Sequence, residues 1–366
     1  MSTETTSAPA GTTADDHQNE SLWHRIVHMQ AFQILLVLIV IVAVFATLAP
    51  ISFANIGNAR LIAQNASILA ILGVGMTFVI VTSGIDLSIG SVMVFSGVVA
   101  ATVMQAQGGD GWGTAFLGIV ISVLVGLTWG IVNGVLIAKA KIPPLIVTLG
   151  SLGMALGLAQ ILTGGVDIRA VPAVMQDSIG YGNIVGQVPV LTFIALIVVI
   201  IGGVVLHSTR FGRYTFAVGS NEESARRVGV RVDRHLIMVY ALSGLLAGFA
   251  GVLSLAQFGT TAIAGQTQTN LNVIAAVVIG GTSLFGGVGT IFGTVIGLFI
   301  PAVLQNGFVI VGVQPFWQQV AVGAVLIAAV YIDQRRRAAA ARGGKRSSLR
   351  FRSAGKASPE ARGGES

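Results

Sequence analysis

Apolar runs of about twenty residues recur along most of the chain, beginning near Ala31. A helix rises 1.5 Å per residue, so about twenty apolar residues cross the hydrocarbon core of a bilayer. No water-soluble core accommodates so many such runs in succession. Only 10% of residues are charged, against about a quarter in soluble domains. Mean hydropathy is +0.84. These features predict an all-α polytopic membrane protein.

The runs place ten helices at about 31–49, 60–82, 86–105, 114–138, 145–163, 188–206, 235–257, 271–282, 289–311 and 316–333. The eighth is short and ends in glycines, so it reads as a half-helix or re-entrant segment. Residues 1–30 form a polar N-terminal tail of disordered composition. They lack the positive n-region of a signal peptide, so the first apolar run reads as an uncleaved membrane helix. Residues 31–333 form the membrane domain, and 334–366 form a basic tail.

Ten spans put both termini on one side. With that side inside, inside segments hold 19 of the 21 Lys and Arg, and outside segments hold Arg60 and Arg169. Basic residues mark the cytoplasmic face. The net charge of +7 therefore reports topology, and no nucleic-acid partner is needed to explain it. The longest external loop is 164–187 and the longest internal loop is about 207–234.

Cysteine is absent, which excludes disulfides, thiolate nucleophiles and Cys-based metal sites. The five histidines show no metal-ligand spacing, so no metal site is expected. "GGVG" at 286–289 lacks GxGxxG spacing, and no Walker motif occurs. The chain is thus expected to hold no nucleotide and to hydrolyse no ATP by itself.

Three features carry functional information. In "VTSGIDLSIGS" (81–91), Asp86 is the one acidic residue in an apolar setting. Buried ionisable groups are costly in a membrane and persist where they pair, reach water or line a path. Gly84 is placed to break the helix, with Asp86 and Ser88 placed to cap the next one. The readings open to Asp86 are a helix cap, a polar group lining a solute path, and a proton relay. Gln64, Asn65, Thr82, Ser83, Asp86 and Ser88 are the candidate path residues. Second, small residues recur at four-residue spacing: Gly126, Gly130 and Gly134; Gly244 and Gly248; Gly289, Gly293 and Gly297. Such ladders predict close helix packing. Third, "GSNEESARRVGV" (219–230) predicts a short helix. Ser220 or Asn221 caps it, Glu222 and Glu223 occupy its first turn, Ala225 and Val228 form an apolar face beside Arg226, and Gly229 ends it. Such a helix is either a connector or a knob that docks on a soluble partner. A weaker pattern relates 79–101 to 278–299, either as a diverged internal repeat with breaks in matching places or as a chance likeness of Gly/Val-rich helices.

Four ordered blocks resemble the permease subunits of bacterial ABC importers of the ribose/xylose/galactose branch. They are "GMTFVIVTSGIDLSIGSVM" (75–93), "NGVLIAKAKIPPLIVTLGSL" (133–152), "AVGSNEESARRVGVRV" (217–232) with "YALSGLLAGFAG" (240–251), and "VIAAVVIGGTSLFGGVGTIFGTVIG" (273–297). The resemblance covers about 30–335. It implies the ABC importer permease fold with some broken helices, a multi-pass chain in the bacterial plasma membrane, and cytoplasmic termini. It also implies a partner set: a separate ATPase subunit that binds ATP and Mg, an extracytoplasmic sugar-binding protein, and a second permease copy, giving a homodimer in membrane lipid. Gly219, Asn221, Glu222, Ala225, Arg226, Val228 and Gly229 fall on the family's ATPase-coupling loop. The competing readings are a proton-coupled secondary sugar transporter using Asp86, and an integral membrane enzyme, for which no catalytic pair is visible.

Overall fold

The structure is a computed structural model that describes residues 30–184, 186–263, 267–314 and part of 316–335. The tails expected at 1–30 and 334–366 fall almost wholly outside the described residues, and the tenth helix, 316–333, falls partly outside them.

The regular structure of the described residues is helical apart from a two-residue β-ladder that pairs Asn183–Ile184 with Val188–Pro189. The main helices among the described residues are α1 (Gln30–Leu48), α2 (Ile56–Val81), α3 (Ile89–Gln107), α4 (Trp112–Ala138), α5 (Pro144–Thr163), α6 (Val190–Ser208), α7 (Arg210–Ser220), α8 (Glu222–Arg227), α9 (Val232–Phe258), α10 (Thr267–Ile279) and α11 (Ile291–Ile310), with short helical turns at Pro50–Phe53, Ala173–Met175 and Gln176–Gly180. Seven of them, α2 to α6, α9 and α11, are long and apolar enough to cross a membrane. The chain is an all-α polytopic membrane protein.

Burial sorts these helices into an inner and an outer set. α2 and α9 are largely enclosed, whereas α4, α5 and α6 turn most of their apolar residues outward. An apolar helix with an exposed apolar face belongs against lipid or another protein. α9 packs on α2, α3 and α4; α11 packs on α1, α2 and α10.

The glycine ladders of α4 and α9 lie at these contacts; of the third ladder Gly293 and Gly297 do so, whereas Gly289 precedes α11 and meets the Thr282 side chain. A Cβ on Gly126 would fall 2.7 Å from the Gly248 Cα, and one on Gly134 would fall 2.8 Å from the Ile237 Cα. α4 and α9 therefore touch backbone to backbone, and Ser122 Oγ donates across the seam to the Gly248 carbonyl at 2.7 Å. Gly293 and Gly297 do the same for α11 against Ala276 of α10 and Gly280 just past its end.

α10 has 13 residues, about 20 Å of helix, too short for a full crossing. It stands at the eighth position, where a half-helix or re-entrant segment is expected. Its end matches the end of α2. After α2, the Gly84 N–H donates to the Val79 carbonyl and the Ser83 N–H to that of Ile80, with Ser83 at φ 62°. After α10, the Thr282 N–H donates to Val277 and the Gly281 N–H to Val278, with Gly281 at φ 92°. Both are Schellman motifs, which stop a helix with one left-handed residue. The shared break supports the repeat reading of 79–101 and 278–299.

The break after α2 differs from expectation in its agent. Ser83, not Gly84, takes the left-handed conformation. Gly84 is needed for space, because a Cβ there would lie 2.6 Å from the Tyr240 hydroxyl.

Candidate functional site

The two breaks meet the internal loop. The Gly287 N–H donates to the Val81 carbonyl at 2.9 Å. Ser83 Oγ lies 2.8 Å from the Phe285 carbonyl and 3.1 Å from that of Gly219, within donating distance of both. A Cβ on Gly219 would itself fall 2.8 Å from the Gly287 nitrogen. Three segments distant in sequence thus converge at one end of the bundle.

At that end stands the predicted short helix, preceded by one that was not anticipated. α7 occupies Arg210–Ser220, so Gly219 and Ser220 form its last turn rather than a loop turn. Its charged and apolar residues alternate with helical period around a modest apolar stripe, which a search for long apolar runs passes over. Asn221 interrupts the helix in extended conformation, and its side chain accepts the Ser224 N–H at 2.8 Å as the N-cap of α8. Glu222 and Glu223 stand in the first turn, Arg226 and Arg227 in the last, and Gly229 (φ 88°) follows. This order complements the helix dipole at both ends.

The expected apolar face of α8 is corrected. Ala225 is 3% exposed and packs with Val218, Val230 and Val232 of its own chain, whereas Val228 is 80% exposed. Val228 lies past the end of α8, at its C-cap, so helical spacing no longer aligns it with Ala225. Arg226 bonds both Glu222 (3.1 Å) and Asp233 (3.0 Å), and Asp233 also receives Lys141 at 2.8 Å. Hydrogen bonding to Asp233, with Glu222 beside it, raises the Arg226 pKa further above its ordinary value. Arg227 pairs with Glu223. The charged residues thereby tie α8 to the α4–α5 turn.

Asp86 is buried, 3% exposed, on the strap between α2 and α3. Its Oδ1 accepts the Ser88 N–H (2.9 Å) and the Ser88 hydroxyl (2.6 Å), and its Oδ2 accepts the Ser243 hydroxyl (3.0 Å). Asn133 Nδ2 donates to Ser88 Oγ at 3.0 Å, and Ser151 donates to Asn133 Oδ1. One carboxylate thereby joins the strap to α4, α5 and α9. Neither Asp86 nor Ser88 caps α3 as expected. Ser88 holds the N-cap position but makes no side-chain cap bond, because its hydroxyl is turned to Asp86. The N–H of Gly90 is satisfied from α10, by Asn270 Oδ1 at 2.6 Å.

A polar cleft of about 320 Å³ opens toward the other end of the bundle. Asn65 lies about 24 Å along α2 from Val81. Its Oδ1 accepts from Gln257 Nε2 at 2.8 Å, and the pair faces Ser254, Gln268, Thr269, Asn272 and Gln305 across the cleft. Phe258, Ile68 and Leu69 supply apolar wall, and none of the described lining residues is charged. Of the six expected path residues, only Asn65 lines this cleft. Gln64 instead reaches the Gly180 carbonyl at 3.4 Å. Thr82 bonds back to Val79 in its own helix, and Ser83, Asp86 and Ser88 belong to the strap.

Asn133, Ser151, Ser243, Gln257 and Asn270 escaped the sequence reading. All five are uncharged polar residues on membrane helices that carry other polar residues as well, so none stands out as Asp86 does. As amides and hydroxyls they are weaker signals than a carboxylate.

The family described as the branched-chain amino acid transport system / permease component matches residues 58–330. The chain belongs to this permease family. Among curated relatives, the permease is 37% identical over 294 residues to the ribose import permease protein of Escherichia coli K12, covering 80% of this chain and 89% of the relative. It is 35% identical over 323 residues to the fructose import permease protein of Rhizobium meliloti (86% and 88% covered). It is 36% identical over 292 residues to the D-allose transport system permease protein of Escherichia coli K12 (79% and 87% covered). No solved structure matches the permease significantly.

Proposed function

We propose that this permease is the membrane subunit of an ATP-driven importer that carries a monosaccharide into the cytoplasm. The observation that carries the reading is the chemistry of the cleft. Among the described residues, seven amide and hydroxyl side chains line it beside one aromatic ring, and no charged one does. A monosaccharide is neutral and rich in hydroxyls, each able to donate and accept, which matches amides that do both. A zwitterionic amino acid would leave two charges without a charged partner there, at a high desolvation penalty. The sugar names carried by the relatives agree with the cleft, although the family description mentions amino acids.

In this reading the α7–α8 end faces the cytoplasm and meets an ATPase subunit, with Val228 as the exposed apolar contact. The cleft end faces a sugar-binding protein, and two permease copies enclose the path. The excess of basic residues in the loops at the α7–α8 end supports this orientation. Proton coupling through Asp86 finds no support in the cleft, since Asp86 is not among its lining residues and its oxygens are taken by hydroxyl and N–H donors.

The test is uptake of labelled D-ribose, D-fructose and D-allose into membrane vesicles with internal ATP held constant. ATP-dependent uptake of at least one sugar, insensitive to a protonophore, is expected. Uptake that collapses with the proton gradient at constant ATP refutes the reading.

A further inference from the structure

The start of α3 is capped from a different helix. Gly90 is in the first turn of α3, where N–H groups lack intrahelical partners. Its N–H is taken by Asn270 of α10, a buried residue whose Nδ2 has no partner among the described residues. The flanking residues Gln268, Thr269 and Asn272, in the same opening turns of α10, line the polar cleft. The position of these turns therefore shapes the cleft, and one hydrogen bond fastens them to α3.

The strap that leads into α3 is fastened at its other end to the coupling region. Ser83 meets the carbonyls of Gly219 and Phe285, and Gly219 stands two residues before Asn221, the cap of α8. Between these ends, Asp86 pins the strap to Ser243 of α9, and Thr148 of α5 donates to the Ile85 carbonyl at 3.3 Å. These two contacts hold the strap between its ends. A path made of covalent chain and two hydrogen-bonded junctions thus runs from α8 through Gly219, Ser83 and the strap to Gly90, Asn270 and the cleft.

We propose that residues 82–90, clasped by Ser83 at one end and by Asn270 at the other, transmit motion of the α7–α8 end to the first turn of α10 and so set the opening of the cleft. The proposal rests on the importer reading above. Ser83 and Asn270 are positioning residues, since neither is among the residues lining the cleft.

The experiment uses the full-length permease, reconstituted with the ATPase and binding protein with which it co-purifies, and a labelled sugar that the wild type imports. ATP hydrolysis and uptake are measured in the same proteoliposomes. Asn270→Ala is expected to keep the ATPase bound and hydrolysing while sugar imported per ATP falls about tenfold, the equilibrium shift from losing one buried cap bond. Asn270→Asp keeps an acceptor at a helix N-terminus, where negative charge is favoured, and should restore coupling. Ser83→Gly keeps the left-handed turn but removes the clasp, and should uncouple in the same way. If Asn270→Ala fails to assemble, Ser83→Gly decides. A wild-type ratio of sugar to ATP in the assembled variants overturns the proposal. So does a parallel fall of hydrolysis and uptake, or failure of Asn270→Asp to rescue. A wild-type complex that imports sugar without ATP refutes the importer reading instead, whatever the variants do.

Discussion

Gly244 of α9 faces Gly130 of α4 so closely that a Cβ on Gly244 would lie 2.7 Å from the Gly130 Cα. In lipid there is no hydrophobic drive between helices, so backbone proximity and dispersion hold such a seam. Gly130→Ala and Gly244→Ala must push the two helices apart, and overpacking of this kind costs about 1–3 kcal/mol. Thermal unfolding in detergent should show both variants melting lower than wild type. Gly150→Ala is the control, since a Cβ there meets nothing within 4 Å. It should be neutral or slightly stabilising, because alanine favours helix over glycine. Equal melting of all three variants would remove the seam from the account of stability.

The contrast between Ala225 and Val228 gives a second expectation. Ala225→Glu places a carboxylate among Val218, Val230 and Val232, and burying an unpaired charge costs several kcal/mol. The loop should lose its fold, seen as faster proteolysis between Arg210 and Arg231. Val228→Glu alters an exposed side chain and should leave proteolysis unchanged. If Val228 meets the ATPase, this second variant alone separates docking from folding, and co-purified ATPase should fall while permease yield holds. Undiminished ATPase with Val228→Glu would move the docking contact elsewhere on α7–α8. Arg226→Ala should be mild, because exposed ion pairs contribute about 0–1 kcal/mol.

The helices were legible because a bilayer demands long apolar runs, and the glycine ladders because spacing alone puts them on one face. The cap at Asn221 and the stop at Gly229 followed from local chemistry. What sequence could not show was pairing between distant segments. Asn270 capping α3, Gln257 joining Asn65, and Ser243 meeting Asp86 each depend on how helices pack, and no local pattern encodes that. Ala225 was misread for a related reason: helical spacing said that it shared a face with Val228, but α8 ends before Val228 and its buried side faces the residues around it. Ser83 was passed over as the helix breaker because a glycine stood next to it.

Topology can be checked directly. Ser178 is exposed in the loop that packs by α9 near Ala256, and Ser224 is exposed on α8, beyond the opposite end of α9. The chain has no native cysteine to confuse labelling. Ser224→Cys should react with an impermeant maleimide only after the membrane is opened, and Ser178→Cys in intact cells. Labelling of both from outside would reverse the orientation drawn from the basic loops.

Asp86 separates a structural carboxylate from a proton-carrying one. It accepts three hydrogen bonds, two from Ser88 and one from Ser243. Asp86→Asn keeps an acceptor oxygen for Ser88, and its new amide can donate to Ser243 Oγ, since a hydroxyl both donates and accepts. The network through Asn133 and Ser151 then survives. Asp86→Leu removes every acceptor and strands buried donors, at about 1–3 kcal/mol for each group left unpaired. Asp86→Asn should therefore retain most of the uptake and most of the thermal stability. Asp86→Leu should lose several degrees of melting temperature and most of the transport. A proton relay makes the opposite demand: the amide cannot ionise, so Asp86→Asn would fail as completely as Asp86→Leu while melting like wild type. Uptake and melting measured on the same preparations distinguish the two outcomes.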